Sequence, residues 1–408
     1  MKITGLIAEF NPFHNGHTYV LTQARALSGC DFVVVAMSGD FVQRGAPALL
    51  DKSIRTKAAL QNGADLVVAL PALVSTGSAR DFAYGGVKTL AACGVDTLAF
   101  GCECTDIALL QKMAAILHEE PATFKEVLQT ALRNGKNYPS AQTEALLAHV
   151  KGAYTDTTLA ELAHLLRQPN TILALEYLRA IRELQIPMKI LPISRVGVSH
   201  HAQKATQTYA SATHIRQMLL SGRPLTDFAT VLPENASLLY EDALTRQPLL
   251  SERDYQPLLP YVLRLQADRL PNFLDSSAEI ANRLLRCLAT YEDFDYFLEA
   301  ITTKDVTRGK MMRILTHILL NLTTDQMHQY RREPIPYLRI LGLRKDARPL
   351  LGTLSKHALV ITSVAQAPAE LPLLQSDLFA RETYLALAQT KGDATSLRND
   401  YRLPVQIF

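Results

Sequence analysis

The run Asn11-Pro12-Phe13-His14-Asn15-Gly16-His17 stands directly after an apolar stretch, Ile3-Thr4-Gly5-Leu6-Ile7-Ala8, and before an amphipathic run from Thr18 to Leu27. A strand that feeds a helix through a short polar loop is the entry unit of an open α/β sheet. Such sheets bind ligands at the carboxyl ends of their strands. Backbone N–H groups at a helix N-terminus, with the positive end of its dipole, favour an anion there. His14 and His17, three residues apart, can hydrogen-bond phosphoryl oxygens as charge develops on them. Gly16 has no Cβ, so backbone and a base or ribose can approach closely. Two surface histidines in a loop would fit the same residues; their place at the first strand–helix junction favours a site.

The first half repeats that unit. Apolar runs bounded by turn signals recur at 2–9, 31–37, 64–70, 95–100 and 188–193, with helical patterns such as Ser53–Asn62 and Asp81–Cys93 between them. Gly63 and Gly94 follow those helices at the position where a left-handed residue ends a helix. Near-continuous Val/Leu/Ile/Ala strands separated by helices predict a parallel sheet covered on both faces. Residues 106–166 hold no strand-like run and read as a helical insertion. Beyond about 225 the apolar spacing is helical through Leu259–Leu270, Ala278–Leu288 and Met311–Leu322, and the first strand-like run is Ala358–Thr362. The expected division is an α/β domain over 1–228 and a mainly helical domain over 229–408.

Composition excludes several classes. No run of 18 apolar residues exists to span a membrane, and no basic leader with a cleavage site precedes the first strand. The five cysteines, Cys30, Cys93, Cys102, Cys104 and Cys287, are odd in number and scattered, which points to a reducing cytoplasm rather than a disulfide framework. Cys102-Glu103-Cys104 lacks the second pair a zinc site requires. A formal net charge of +3 is too small to diagnose a nucleic-acid partner by itself.

Further candidate positions fall in the first half. Gly101 follows the run 95–100, where a glycine suits either a strand-ending turn or close approach of a ligand. Asn170, after Pro169, reads as the N-cap of a helix over Thr171–Leu184, and its amide could also meet a ribose or an adenine edge. Arg195 closes the run 190–194 at a strand end, where a cation could meet a phosphate. Ala210-Ser211-Ala212-Thr213-His214-Ile215-Arg216 places two hydroxyls, Ser211 and Thr213, and the Arg216 guanidinium around one helix N-terminus, with Gly222 beyond its end.

H-x-G-H after the first strand, with a late S-x-T-x-x-R, is similar to the nucleotidyltransferase superfamily. More closely, the chain resembles the bacterial tRNA(Met) cytidine acetate ligase family. The resembling segments are residues 5–17, 37–45, 55–60, 64–71, 169–173, 210–216 and 336–342. One departure is Ala174, where a glycine is expected nearby. The resemblance implies a Rossmann-like α/β nucleotidyltransferase domain whose ATP site comprises Ile7, Ala8, Glu9, Phe10, Asn11, Pro12, Phe13, His14, Asn15, Gly16, His17, Thr18, Tyr19 and Val20. Gly101, Asn170 and Arg195 join it, and Ser211, Thr213 and Arg216 stand at its phosphate end. His14 and His17 are the expected catalytic pair. The implied reaction activates acetate with ATP as acetyl-adenylate, then transfers the acetyl group to N4 of the wobble cytidine of elongator tRNA(Met). Mg²⁺ is expected with the triphosphate, and no carboxylate cluster fixes a metal cage.

Such a protein must hold RNA. The cations Lys304, Arg308, Arg331, Arg332, Arg344 and Lys345 cluster in the second half, and Lys52 and Arg55 lie beside the expected cleft. They are candidates for phosphate contacts, or simply a solvated face. Phe41, Tyr84 and Tyr337 are candidates to stack on an extruded cytidine. No membrane partner or stable protein partner is expected. A small-metabolite adenylyltransferase, or a non-catalytic RNA-binding protein on the same fold, would also account for the two motifs; the former leaves the second half without a role.

Overall fold

The computed structural model describes residues 1–195 and 208–408. The strands are β1 (Ile3–Ala8), β2 (Phe32–Ser38), β3 (Phe41–Val42), β4 (Ala46–Pro47), β5 (Leu66–Leu70), β6 (Thr97–Cys102), β7 (Lys189–Ser194), β8 (Tyr337–Leu343), β9 (Leu359–Ile361) and β10 (Gln406–Ile407). The helices of the first half are α1 (Asn15–Ser28), α2 (Lys52–Gln61), α3 (Ala72–Ser75), α4 (Ala79–Ala92), α5 (Ile107–Glu119), α6 (Ala122–Arg133), α7 (Tyr138–Val150), α8 (Asp156–Leu165) and α9 (Pro169–Glu183). Then come α10 (Ala212–Leu220), α11 (Glu234–Arg246), α12 (Leu259–Leu265), α13 (Ala278–Leu288), α14 (Phe294–Ile301), α15 (Arg308–Leu319), α16 (Thr324–Arg332), α17 (Pro349–Leu354) and α18 (Pro372–Lys391). None of these helices is long and apolar enough to cross a membrane.

The sheet runs β10-β8-β5-β2-β1-β6-β7, with β9 also on β8. β5, β2, β1, β6 and β7 are parallel. Their side chains alternate between two cores. Val33, Val35, Met37 and Val67 face α1, α2, α10 and α11, while Val34, Ala36, Leu66 and Val68 face the layer that includes α4 and α9. The chain leaves β1 toward β2 on one side and returns to β6 on the other. The carboxyl ends of β1 and β6 therefore flank the crevice where such sheets take ligands.

The second half does not stand apart from this sheet. β8, wholly buried, pairs antiparallel with β5, and β9 and β10 cover its other edge. The reading of 229–408 as free of buried strands before Ala358 is thus corrected. A basic residue, Arg339, interrupts the apolar run of β8; its charge is met by Asp400, at 2.6 Å, 61 residues further on.

A buried ion network ties the C-terminal region to the segment after β2. Lys52 Nζ lies 2.7 Å from both Asp40 and Asp400. Arg381, on α18, donates to Asp40 at 2.7 Å and to Asp51 at 2.6 Å. The β3–β4 hairpin seats against α15 through Gly45. Its φ is +73°, and a Cβ there would stand 2.4 Å from the backbone nitrogen of Arg313, so both conformation and space demand glycine.

Candidate functional site

After β1 the backbone turns through Phe10, at φ +48°, and α1 begins at Asn15, three residues earlier than the amphipathic pattern indicates. His14 is the N-cap. Its Nδ1 accepts from the backbone N–H of Gly16 at 3.0 Å, and Nδ1 of His17 accepts from the N–H of His14 at 3.2 Å. This is a reciprocal capping box made of two imidazoles. The rings stack with centroids 3.8 Å apart. A nitrogen that accepts a backbone N–H carries no proton, so each neutral ring holds its hydrogen on Nε2. Burial, reinforced by Arg195 and Arg216, pushes His14 down from 6.5 to about 4. Burial, His14 and Arg195 hold His17 well below 6.5. Both rings are therefore neutral Nε2–H donors at physiological pH. A Cβ on Gly16 would meet His14 Cε1 at 2.8 Å, so the capping ring itself requires the glycine.

The late motif closes on this loop. Ser211 caps α10 by accepting from the N–H of His214 at 3.2 Å, as expected of an N-cap. Arg216 donates to Thr213 Oγ1 at 3.0 Å and to the carbonyl of Asn11 at 2.6 Å, which joins positions 205 residues apart. Asn15 Nδ2 donates to the carbonyls of Thr208 and Thr230, Tyr240 donates to that of Phe13, and Asn11 Oδ1 accepts from the N–H of Leu49. The loop is pinned on several sides.

Residues 7–20 divide their tasks. Ile7 packs on Gly86, and Phe10 and Phe13 are buried edge-on or tilted against His17. The bond from Asn11 to Pro12 is cis. Glu9 accepts from the N–H of Gln43 at 2.8 Å, and Thr18 Oγ1 is buried with no hydrogen-bond partner. Tyr19 stands edge-on to Tyr209.

Gly101 lies within β6 rather than beyond it. A Cβ there would stand 3.6 Å from Val20 and 3.8 Å from Arg195. Those are ordinary contacts, so nothing in the protein itself forces a glycine. They place β6, α1 and the end of β7 around one spot. Asn170 is the second residue of α9, whose N-cap is Gln168, which corrects the capping assignment. Its Nδ2 donates instead to Glu103 at 2.6 Å, and Glu103 also accepts from the N–H and Oγ1 of Thr171. With one N–H of its amide held by Glu103, Asn170 keeps Oδ1 as an acceptor and a second N–H as a donor. Glu103 is a positioning residue that the sequence analysis missed; its only signal is an acid two residues beyond Gly101. Cys102 and Cys104 are buried free thiols, and among the described residues no group of three His, Cys, Asp or Glu side chains could hold a metal ion.

A family model described as HIGH Nucleotidyl Transferase matches residues 1–399. The tRNA(Met) cytidine acetate ligase of Clostridium kluyveri is 34% identical over 391 residues, 95% of each chain. The chain belongs to the tRNA(Met) cytidine acetate ligase family. The ligase of Clostridium perfringens is 33% identical over 413 residues, covering both chains in full. Crystal structures of Thermotoga maritima TmcAL, one apo and one bound with alpha-thio ATP, match with TM-scores of 0.89 and 0.88. Both are 27% identical, again over the whole of both chains.

Within this member of the tRNA(Met) cytidine acetate ligase family, several of the cations expected to contact RNA are buried or paired. Lys52 and Arg55 are 2% and 0% exposed. Lys52 belongs to the ion network, and Arg55 donates to the carbonyls of Glu9, Ser38, Gly39 and Leu50, strapping the ends of β1 and β2 together. Arg331 pairs with Asp81 at 2.6 Å and Glu183 at 3.2 Å, Arg344 with Asp346 and Asp65, and Arg308 with Glu252. Lys304, Arg332 and Lys345 are exposed, with no ion pair among the described residues. Phe41, Tyr84 and Tyr337 are buried, which removes them as stacking platforms.

Proposed function

We propose that the protein is an ATP-dependent ligase that makes acetyl-adenylate and transfers the acetyl group to N4 of the wobble cytidine of elongator tRNA(Met). The observation that carries the reading is the pair of neutral Nε2–H imidazoles at the start of α1, flanked by Arg195 and Arg216. In the first step an acetate oxygen attacks the α-phosphorus, the bond to the bridging oxygen breaks, and pyrophosphate leaves. The histidines donate to the phosphoryl oxygens as charge builds on them, without competing as bases. Arg195 and Arg216 supply positive charge, and the N–H groups of α1 add the dipole's positive end. In the second step the N4 amine attacks the acetyl carbon, AMP leaves with the electron pair of the broken C–O bond, and the proton lost from N4 passes to water. Magnesium enters with the triphosphate, and no residue of the chain is assigned to it. Residues 1–228 carry the adenylation chemistry in this reading; residues 229–408 complete its sheet and contribute to the tRNA side. The cytoplasm, where tRNA and ATP meet, is its place.

Incubation with ATP, labelled acetate and tRNA, followed by nucleoside analysis, tests the reaction, with N4-acetylcytidine as the expected product. His14→Ala and His17→Ala should each lower acetate-dependent ATP–pyrophosphate exchange by about 10²–10³. Exchange at the wild-type level in either variant would remove the histidines from the chemistry.

A further inference from the structure

A cavity of about 790 Å³ opens beside the helical insertion, and none of its walls belongs to the histidine cluster. Four cations line it, Lys136, Lys151, Arg167 and Lys304. They come from three separate stretches of chain: the start and end of α7, the residues after α8, and the turn before α15. A solvated charge run occupies one face of one helix; here three segments converge on one concavity. Lys136 is paired with Glu144 at 2.5 Å. Lys151, Arg167 and Lys304 are exposed and make no ion pair or side-chain hydrogen bond among the described residues, with Asp305 the nearby acid, close to Gly135. The apolar lining is aliphatic, Leu147, Ala148 and Leu159, with no aromatic ring on which a base could stack. A place with several free cations and no stacking surface suits a phosphate group rather than a nucleoside.

Its position says whose phosphate. The insertion leaves the sheet after β6 and returns at α9, where Glu103 holds Asn170. Arg167 precedes Asn170 by three residues, a span of at most about 11 Å of extended chain. One wall of the cavity, at Arg167, is therefore tied by a short span of chain to the residue that Glu103 orients.

We propose that this cavity binds backbone phosphate of the RNA whose cytidine enters the crevice, so that the helical insertion is an RNA-holding element. The inference rests on the tRNA reading above. It is tested in the full-length protein with the combined variant Lys151→Ala, Arg167→Ala and Lys304→Ala, using tRNA as the probe across a range of salt concentrations. Loss of three phosphate contacts should weaken binding and lower the slope of log affinity against log salt by about 2–3. Acetate-dependent ATP–pyrophosphate exchange should be unchanged, which also reports that the variant is folded. The charge-preserving set Lys151→Arg, Arg167→Lys and Lys304→Arg should retain tRNA affinity. Wild-type protein that acetylates tRNA, with a triple variant of unchanged affinity and slope, overturns the pocket alone. Wild-type protein that binds no tRNA overturns both readings. A loss confined to ATP affinity would assign the cavity to the nucleotide and overturn its assignment to RNA.

Discussion

Replacing His14 by asparagine separates capping from titration. Asparagine is a good N-cap, and its side-chain oxygen can stand in for Nδ1 as acceptor for the first turn of α1, but it has no titrating nitrogen. In the native protein burial, then Arg195 and Arg216, push His14 from 6.5 down to about 4. A base with a lower pKa folded than unfolded takes up its proton more readily in the unfolded chain. Stability is then lost as pH falls below 6.5, and the loss levels off only below the folded pKa. At about 1.36 kcal/mol per pH unit, acidification from neutrality to about pH 5 withdraws roughly 2 kcal/mol at this one site. His17, held down chiefly by its own burial, contributes to both proteins and largely cancels in the comparison. Urea unfolding of wild type and His14→Asn at neutral pH and at about pH 5, with m checked for constancy, measures the difference. Wild type should lose roughly 2 kcal/mol more than the variant. An equal loss in the two proteins would refute the neutral, buried imidazole, as would an NMR titration of the His14 ring centred on its ordinary value.

Two further outcomes follow from contacts around the same crevice. Glu103→Gln removes the carboxylate that holds the Asn170 amide; KM for ATP should rise about tenfold, equivalent to about 1.4 kcal/mol, with kcat little changed. Combining it with Asn170→Ala should add nothing to the single Asn170 effect, and full additivity would mean that the two residues act apart. Arg381→Met leaves Asp40 and Asp51 short of their buried cation; a loss of about 3–5 kcal/mol in urea unfolding is expected, and a loss below about 1 kcal/mol would show that Lys52 alone suffices.

The parts of the molecule legible in its sequence are those governed by neighbours in the chain. The five parallel strands, Gly63 and Gly94 at their helix ends, Ser211 as a cap and His14 at the first junction all rest on local spacing and turn chemistry. The parts that were not legible depend on distant partners. Arg339 and Lys52 look like surface cations until Asp400 is placed beside both. Arg55 looks like a phosphate ligand until four carbonyls converge on its guanidinium. Asn170 looks like a cap because nothing near it in sequence announces Glu103 as its partner. In the site the two motifs were readable separately, but not that Arg216 would reach the carbonyl of Asn11.

The antiparallel seat of β8 against β5 bears on how the chain is born. A ribosome releases β5 early, yet the strand that covers its edge is finished only at Leu343, about 270 residues later, a delay of about 14–55 s at 5–20 residues per second. Through that interval Leu66–Leu70 carries an unpaired row of backbone groups on a strand of apolar side chains, the kind of edge on which foreign strands add. The buried charges wait longer still, since Asp400 is synthesised after Leu343. The segment after β2 that carries Asp40 and Lys52 is thus synthesised early and secured late. A nascent chain stalled before β8 should expose this edge and be prone to pairing with foreign strands.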